Sequence, residues 1–278
     1  MAAAPKSVGI LAPIRTKACS DTLEALRDEC EKRGLTAYEI GRCTDAAHTL
    51  PDVLLCLGGD GSILSEAERA AKSGIIIGGV NMGHLGFLSA CGREEVALLA
   101  EALADGSFTV EERSMLQVTQ SGLGAQCESH IALNEVALMR AQTGKMIDVD
   151  VELDGELLNR YHADGVLVAT PTGSTAYSLS AGGPLLWPTA HVMCLTPICP
   201  HSLTNRSVVL PEGVEITMRP RERRGRSGES LIYSLDGRAT HAIELNSTLT
   251  IRKAPLSLRL LSLPGSNYAA RLRAKLGW

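Results

Sequence analysis

The sequence predicts an α/β domain built on a parallel sheet, then a mostly-β domain, then one closing helix. Three observations predict it. Up to Gly106, apolar strand runs alternate with amphipathic helical stripes, the chain order of a parallel sheet with helices packed on it. Beyond about Phe108 the long helical stripes stop and short strand runs follow one another. Helical spacing returns only at Tyr268, Leu272 and Leu276.

Each element has a local reason. Residues 7–12, 52–57 and 75–80 are short apolar runs of strand length. Leu23, Leu26 and Cys30 recur on one helical face, with Ser20 or Asp21 available as a cap and Gly34 as a stop. Ile63, Leu64, Ala67 and Ala71 mark a second stripe ending near Gly74, and residues 94–104 a third, closed by Gly106. In the second part, strands are expected over 115–119, 131–139, 147–153, 166–169, 208–210, 215–218, 230–235 and 248–251. Asp154-Gly155 and Asp236-Gly237 are hairpin-turn signals. Asn267 can cap the last helix, which either closes the β core or packs back on the first domain; spacing alone does not choose. The expected division is 1–107, 108–264 and 265–278.

Composition narrows the function. A chain of 278 residues that is 45% apolar and 21% charged has the composition of a globular protein with a full core. Its 27 basic and 31 acidic residues give a net charge of −4, which argues against nucleic acid or an anionic membrane as partner. Two Phe, two Trp and five Tyr are too few for a base-stacking platform. No apolar run approaches the ~18–20 residues that span a bilayer, and the segment before Ile14 is too short and interrupted for a secretory signal. The eight Cys are scattered without a CxxC pair, so reduced thiols in a cytoplasmic protein are expected, and no metal-ligating residues are assigned. Residues 219–226 hold five Arg; a solvated hairpin loop is the expected reading, against an RNA contact.

Three segments carry chemistry. Leu57-Gly58-Gly59-Asp60-Gly61-Ser62 joins a strand end to a helix start, where open α/β sheets bind ligands. Its glycines let backbone N–H groups approach phosphate oxygens, yet it is neither a Walker loop nor GxGxxG. A carboxylate in such a cradle repels phosphate unless Mg²⁺ intervenes or the carboxylate faces an acceptor hydroxyl, whose proton Asp60 can then take. A tight turn with Asp60 as a helix cap is the alternative. The second segment runs from Asp164 to Pro184: a buried strand, a Pro/Gly turn and a Ser/Thr-rich stretch. There Ser174 can cap a short helix, and Tyr177 either stacks on a base or belongs to the core. The third is Asn134-Glu135, an amide and a carboxylate inside an apolar strand. It suits an adenine edge and ribose hydroxyls, or else the polar side of an edge strand.

GGDGS, NEVAL, the stretch from Asp164 to Pro184, the 197–203 segment around His201 and Asp236-Gly237 come in the order seen in bacterial NAD kinases. The chain resembles that family from about Val8 to Trp278. GGDG alone is shared with phosphofructokinases and diacylglycerol-type lipid kinases, whereas 170–183 is specific to NAD kinases. The resemblance implies transfer of the ATP γ-phosphoryl group, with Mg²⁺, to the adenosine-ribose 2′-hydroxyl of NAD, giving NADP. It implies Asp60 as proton acceptor, with Gly61 beside it in the NAD site. Asn134 and Glu135 match the dinucleotide-binding pair and Asp164 a ribose-binding aspartate, while Thr175, Ala176, Tyr177, Ser178, Leu179 and Ser180 line the same site. Lys145 and His162 fall where the family places polar or basic NAD contacts. Arg238 stands where many members have Gln. The resemblance further implies a phosphofructokinase-like first domain, an active site between two domains, a last helix packed on the first domain, and a homodimer or homotetramer. His201 and His84 are expected to be structural. Two rivals remain: a diacylglycerol-type lipid kinase, disfavoured by the polar 172–180 stretch, and a non-catalytic NADP sensor that has no need of Asp60.

Overall fold

The computed structural model describes residues 4–13, 16–41, 50–83, 86–122, 128–141, 146–221, 230–245 and 247–278. Lys145, His84, Cys43, Cys127 and the 222–226 part of the arginine run lie outside them. The chain forms two compact units, Met1–Glu112 with Leu258–Trp278, and Arg113–Ser257. Both divisions fall inside long strands, Thr109–Ser121 and Thr248–Ser262, so no Gly/Pro-rich linker marks them in the sequence.

The first unit carries a parallel sheet in the order Thr36–Ile40, Ser7–Leu11, Val53–Gly58, Ile76–Asn81. Arg259 and Leu260 extend it, pairing in parallel with Ile76 and Ile77. Val53–Gly58 is buried along its whole length, which explains its unbroken apolar run. The helices Lys17–Lys32 and Val96–Asp105 close the core by laying Leu26, Cys30, Leu99 and Leu103 against Val8, Ile10, Leu55 and Leu57.

Two helical details differ from expectation. Lys17–Lys32 starts earlier than a Ser20 or Asp21 cap implies, because the Thr16 hydroxyl accepts the Cys19 N–H at 3.3 Å. The stripe from Ile63 to Ala71 is two helices, Asp60–Leu64 and Ala67–Ser73. The Ser65 hydroxyl bonds back to the Ser62 carbonyl at 2.7 Å between them, a local competitor of the helical ladder. The last helix, Tyr268–Leu276, is capped by Asn267, whose side chain accepts the Ala270 N–H. It packs within the first unit: the Tyr268 ring lies 6.3 Å from that of Phe87, and Arg271 donates to the Phe87 carbonyl at 3.0 Å.

The second unit is antiparallel. One sheet runs Val208–Pro211, Val192–Ile198, Gly165–Ala169, Glu135–Arg140, Leu231–Leu235, Ala239–Ile243. The other contains Glu156–Ala163, Ile147–Leu153, Ile216–Arg221 and the start of Thr248–Ser262. Leu138, Val166, Val168 and Leu195 from the first sheet meet Val149, Val151, Ile216 and Leu249 from the second in one core. Both Asp-Gly turns have positive φ at both residues, as two-residue hairpins require. Arg219 and Arg221, at the described end of the arginine run, pair with Glu152 and Asp150.

The run 131–139, expected as one strand, breaks into Glu128–Ala132 and Glu135–Arg140. Glu128–Ala132 pairs with Thr109–Ser121, whereas Glu135–Arg140 pairs with Gly165–Ala169 and Leu231–Leu235. The largely apolar run from Ile131 to Met139 hid a change of sheet, because Ile131 and Ala132 end one strand and Glu135–Leu138 start another with no Gly or Pro turn signal between them. Asn134 therefore lies in the break and not inside a strand. No helix among the described residues is long and apolar enough to cross a membrane.

Candidate active site

Asp60 belongs to the first unit. The strand Val53–Gly58 ends in the glycine turn, and a Cβ on Gly58 would lie 2.2 Å from the Ser62 Oγ, so only glycine fits. Gly59 occupies the cap position of the following helix, leaving Asp60 as its first residue. The Asp60 carboxylate does not cap this helix. Its Oδ2 accepts the Phe87 N–H at 2.8 Å and its Oδ1 the Leu88 N–H at 3.1 Å, with the Ser89 hydroxyl at 3.5 Å. The Oδ2, with one donor, keeps a lone pair for a further one. Two consecutive backbone amides, of Phe87 and Leu88, thus hold the carboxylate while Asp60 itself remains partly exposed. Gly59 and Gly61 are exposed beside it.

Asn134, Glu135 and the turn after Gly165–Ala169 belong to the second unit. Asp236 organises them. Its carboxylate accepts three consecutive backbone N–H groups: Leu133 at 3.0 Å, Asn134 at 2.6 Å and Glu135 at 3.1 Å. Its own N–H returns a bond to the Glu135 carbonyl. On the other side, the Thr170 N–H reaches the Asn134 carbonyl at 2.8 Å and the Thr170 hydroxyl reaches the Leu133 carbonyl at 2.6 Å. A Cβ on Gly173 would stand 2.0 Å from the Asn134 carbonyl oxygen, so this approach requires glycine. The side chain of Asn134 is buried but not used by these bonds, which are all made by its backbone.

Glu135 is 3% exposed. Burial, and then the nearby Asp236 carboxylate, push its carboxyl up to about 8, against a hydrogen bond from the Tyr177 N–H. Burial raises Asp236 as well, although its three amide bonds and Arg238 oppose this. Both causes favour the protonated form of Glu135, and its Oε2 has no hydrogen-bond partner. The Tyr177 phenol is also raised, first by burial and then by Cys199, Asp164 and Glu135. Tyr177 is half-buried against the cluster of Ala137, Leu167, Ala169 and Ile198, so it is only partly core.

The remaining expected residues fall as follows. Asp164 pairs with Arg140 at 2.8 Å. The His162 Nδ1 lies 2.7 Å from Asp148, and its ring is 5.6 Å from that of His201. Ser174 is not a cap: it is buried inside a short 3₁₀ turn, donating to the Pro171 carbonyl and accepting from the Leu186 N–H. The Ser178 hydroxyl is also internal, 3.2 Å from that of Thr196. The Thr175 hydroxyl donates to the Thr172 carbonyl, Ala176 precedes the Tyr177–Ser180 helix without a side-chain capping bond, and Leu179 and Ser180 lie on its more open side. Arg238 is exposed one residue beyond the Asp236-Gly237 turn. Two positioning residues were not legible as such. Asp236 read as a turn residue, although its φ of 52° already implies that something holds it. Gly86 carries no signal of its own in the sequence, yet a Cβ there would lie 1.9 Å from the Asp60 Oδ1.

The family model of the ATP-NAD kinase N-terminal domain matches residues 12–108, and that of the C-terminal domain matches 133–263. The chain belongs to the ATP-NAD kinase family. It is 40% identical over 228 residues to a Flavobacterium johnsoniae NAD kinase, covering 82% of this chain and 76% of that one. To a Geobacter sulfurreducens NAD kinase it is 34% identical over 286 residues, covering 98% and 99%. Among solved structures, yeast NADH kinase complexed with NADH shares the fold at a TM-score of 0.83 and 23% identity, over 98% of this chain and 88% of that one. An Archaeoglobus fulgidus NAD kinase in complex with ATP does so at 0.77 and 23%, over 98% of each. As an ATP-NAD kinase the chain is a phosphotransferase, and the lipid-kinase and sensor readings are not favoured.

Proposed function

We propose that this ATP-NAD kinase transfers the γ-phosphoryl group of ATP to the adenosine-ribose 2′-hydroxyl of NAD, giving NADP and ADP, with Asp60 as general base. The observation that supports this most is the fixed Asp60 carboxylate, held by the Phe87 and Leu88 amides at the exposed end of a glycine turn. A base works by geometry before basicity, and two amide bonds orient it while leaving a lone pair open on the Oδ2. Asp60 accepts the hydroxyl proton as that oxygen bonds to phosphorus and the bond to the ADP oxygen breaks. Phosphoryl transfer needs little covalent help, so position and charge supply most of the rate.

Mg²⁺ suits this arrangement. It is a hard cation that takes mostly phosphate and water oxygens with one or two carboxylates, and Asp60 is the carboxylate at the glycine turn. Bound with ATP, it neutralises charge on the phosphates. The exposed Gly59 and Gly61 leave room for phosphate beside the main chain.

On the NAD side, Asn134, Glu135, Asp164, Tyr177 and the 175–180 turn bind the dinucleotide, with Lys145, His162 and Arg238 as outer contacts. Neutral Glu135 donates a hydrogen bond to a ribose or base acceptor, while Asp164 accepts from ribose hydroxyls. Tyr177 offers the uncovered part of its ring to the base. The reading extends to a cytoplasmic homodimer or homotetramer, supported by the family resemblance and by substrates of cytoplasmic metabolism. The test is to incubate purified protein with ATP, Mg²⁺ and NAD or NADH and to assay the product with an NADP-specific dehydrogenase. ATP-dependent NADP formation is expected, and its absence alongside tight NADP binding would restore the sensor.

A further inference from the structure

Glu128 and His130 stand two residues apart on the strand Glu128–Ala132, so both side chains leave the same face. Their partners on the neighbouring strand are Gln120 and Val118. His241 comes from a different hairpin, opposite Tyr233 on Leu231–Leu235. The fold brings these groups together inside the second unit. The rings of His130 and His241 are 4.2 Å apart between centroids, and His241 stacks on Tyr233 at 4.9 Å. The His130 Nε2 is 3.5 Å from the Glu128 Oε2, and one ligand atom from each of Glu128, His130 and His241 lies within 4.8 Å of the others.

The hydrogen bonding here is incomplete. The His130 Nε2 is buried and has no hydrogen-bond partner; Glu128 lies 3.5 Å away without forming one. The Tyr233 hydroxyl next to this cluster, on a side chain with no exposure, is buried without a partner too. Buried polar atoms left unpaired are rare, and each calls for an explanation. Two imidazoles and a carboxylate make a nitrogen-rich donor set, unlike the all-oxygen shell that Mg²⁺ or Ca²⁺ takes. Such a set matches three-residue zinc sites that keep a fourth position for water. Zn–N distances of about 2.0–2.1 Å demand a tighter cluster than 4.8 Å; Glu128, with its side chain 60% exposed, is free to swing inward.

We propose that Glu128, His130 and His241 form a binding site for a divalent transition-metal ion, best suited to Zn²⁺ and separate from the nucleotide chemistry. The ion cross-links the strand Glu128–Ala132 to the strand Ala239–Ile243, which are far apart in sequence, and so stabilises the second unit by mass action.

The test uses tag-free full-length protein, stripped with a chelator, dialysed, and titrated with Zn²⁺ by calorimetry without nucleotide. Visible absorption of added Co²⁺ reports on the same ligands. The expected result is one site of micromolar affinity or tighter, and a Tm that rises with Zn²⁺. His241→Gln and Glu128→Gln should each weaken binding about tenfold or more and abolish the Tm rise. Glu128→Gln alters an exposed side chain, so loss of binding there is not a folding defect, and melting of the metal-free variants checks this. Wild-type stoichiometry and affinity in His241→Gln, or no Zn²⁺ binding tighter than millimolar in the wild type, overturns the proposal.

Discussion

Asp236 holds Asn134 through the backbone: its Oδ1 accepts the Asn134 N–H at 2.6 Å, and the same carboxylate takes the N–H groups on either side. Three successive amides converging on one carboxylate set the direction of both the Asn134 and Glu135 side chains. The Thr170 turn fixes the same segment from the carbonyl side.

Asp236→Asn keeps the shape but replaces one acceptor oxygen by an NH₂ that faces an amide. Leaving buried donors unpaired costs about 1–3 kcal/mol, so we expect lower stability in urea and an NAD Kd raised about tenfold. Removing the neighbouring negative charge also eases ionisation of Glu135. The pH midpoint for loss of NAD binding should therefore move down, a shift that a merely loosened fold does not produce.

Glu135 sets a pH dependence whose sign follows from its upward displacement to about 8. The unfolded chain releases this proton near the ordinary carboxyl value, while the folded chain keeps it. Between these values the folded state binds more protons, so this group makes stability fall as pH rises from about 4.5 to 8. Burial of Asp236 adds in the same direction. Glu135→Gln, a permanent analogue of the neutral acid, should flatten this slope in melts across that range. It should also keep NAD binding above pH 8, where the wild type weakens.

Gly86→Ala tests the support of Asp60 without touching its chemistry. A methyl group 1.9 Å from the Oδ1 must displace either the loop or the carboxylate. We expect kcat to fall about tenfold to a hundredfold, with the Kd for NAD little changed in equilibrium titrations. An unaltered kcat means that the position of Asp60 does not control the rate.

Tyr177→Ala should weaken NAD binding far more than it lowers Tm. Its ring is only half covered, by the small cluster around Ala137 and Ala169. An unchanged Kd for NAD would leave Tyr177 as core alone.

Much of the fold is legible in the sequence because period and punctuation agree. Val53–Gly58 is buried on both faces and reads as a solid apolar run, and the two Asp-Gly pairs mark hairpins that the φ angles bear out. The break before Glu135 was not legible, since its cause, the Asp236 carboxylate, comes 101 residues later in the chain. Asp60 stood out by its motif, but what orients it did not. The contacts with Phe87 and Leu88 and the need for glycine at 86 appear only when the strands Val53–Gly58 and Ile76–Asn81 lie side by side. Ser174 misled for the opposite reason: a hydroxyl before a short helix looks like a cap, yet burial turned it inward to Pro171 and Leu186.

The most direct test of the account is Asp60→Asn, with turnover and NAD affinity measured separately. The amide is isosteric but is a far poorer proton acceptor. The account predicts a kcat lower by about 10²–10⁴ while the Kd for NAD stays within about threefold of wild type, a bound of under 1 kcal/mol. Turnover near the wild-type rate in a correctly folded variant would contradict it.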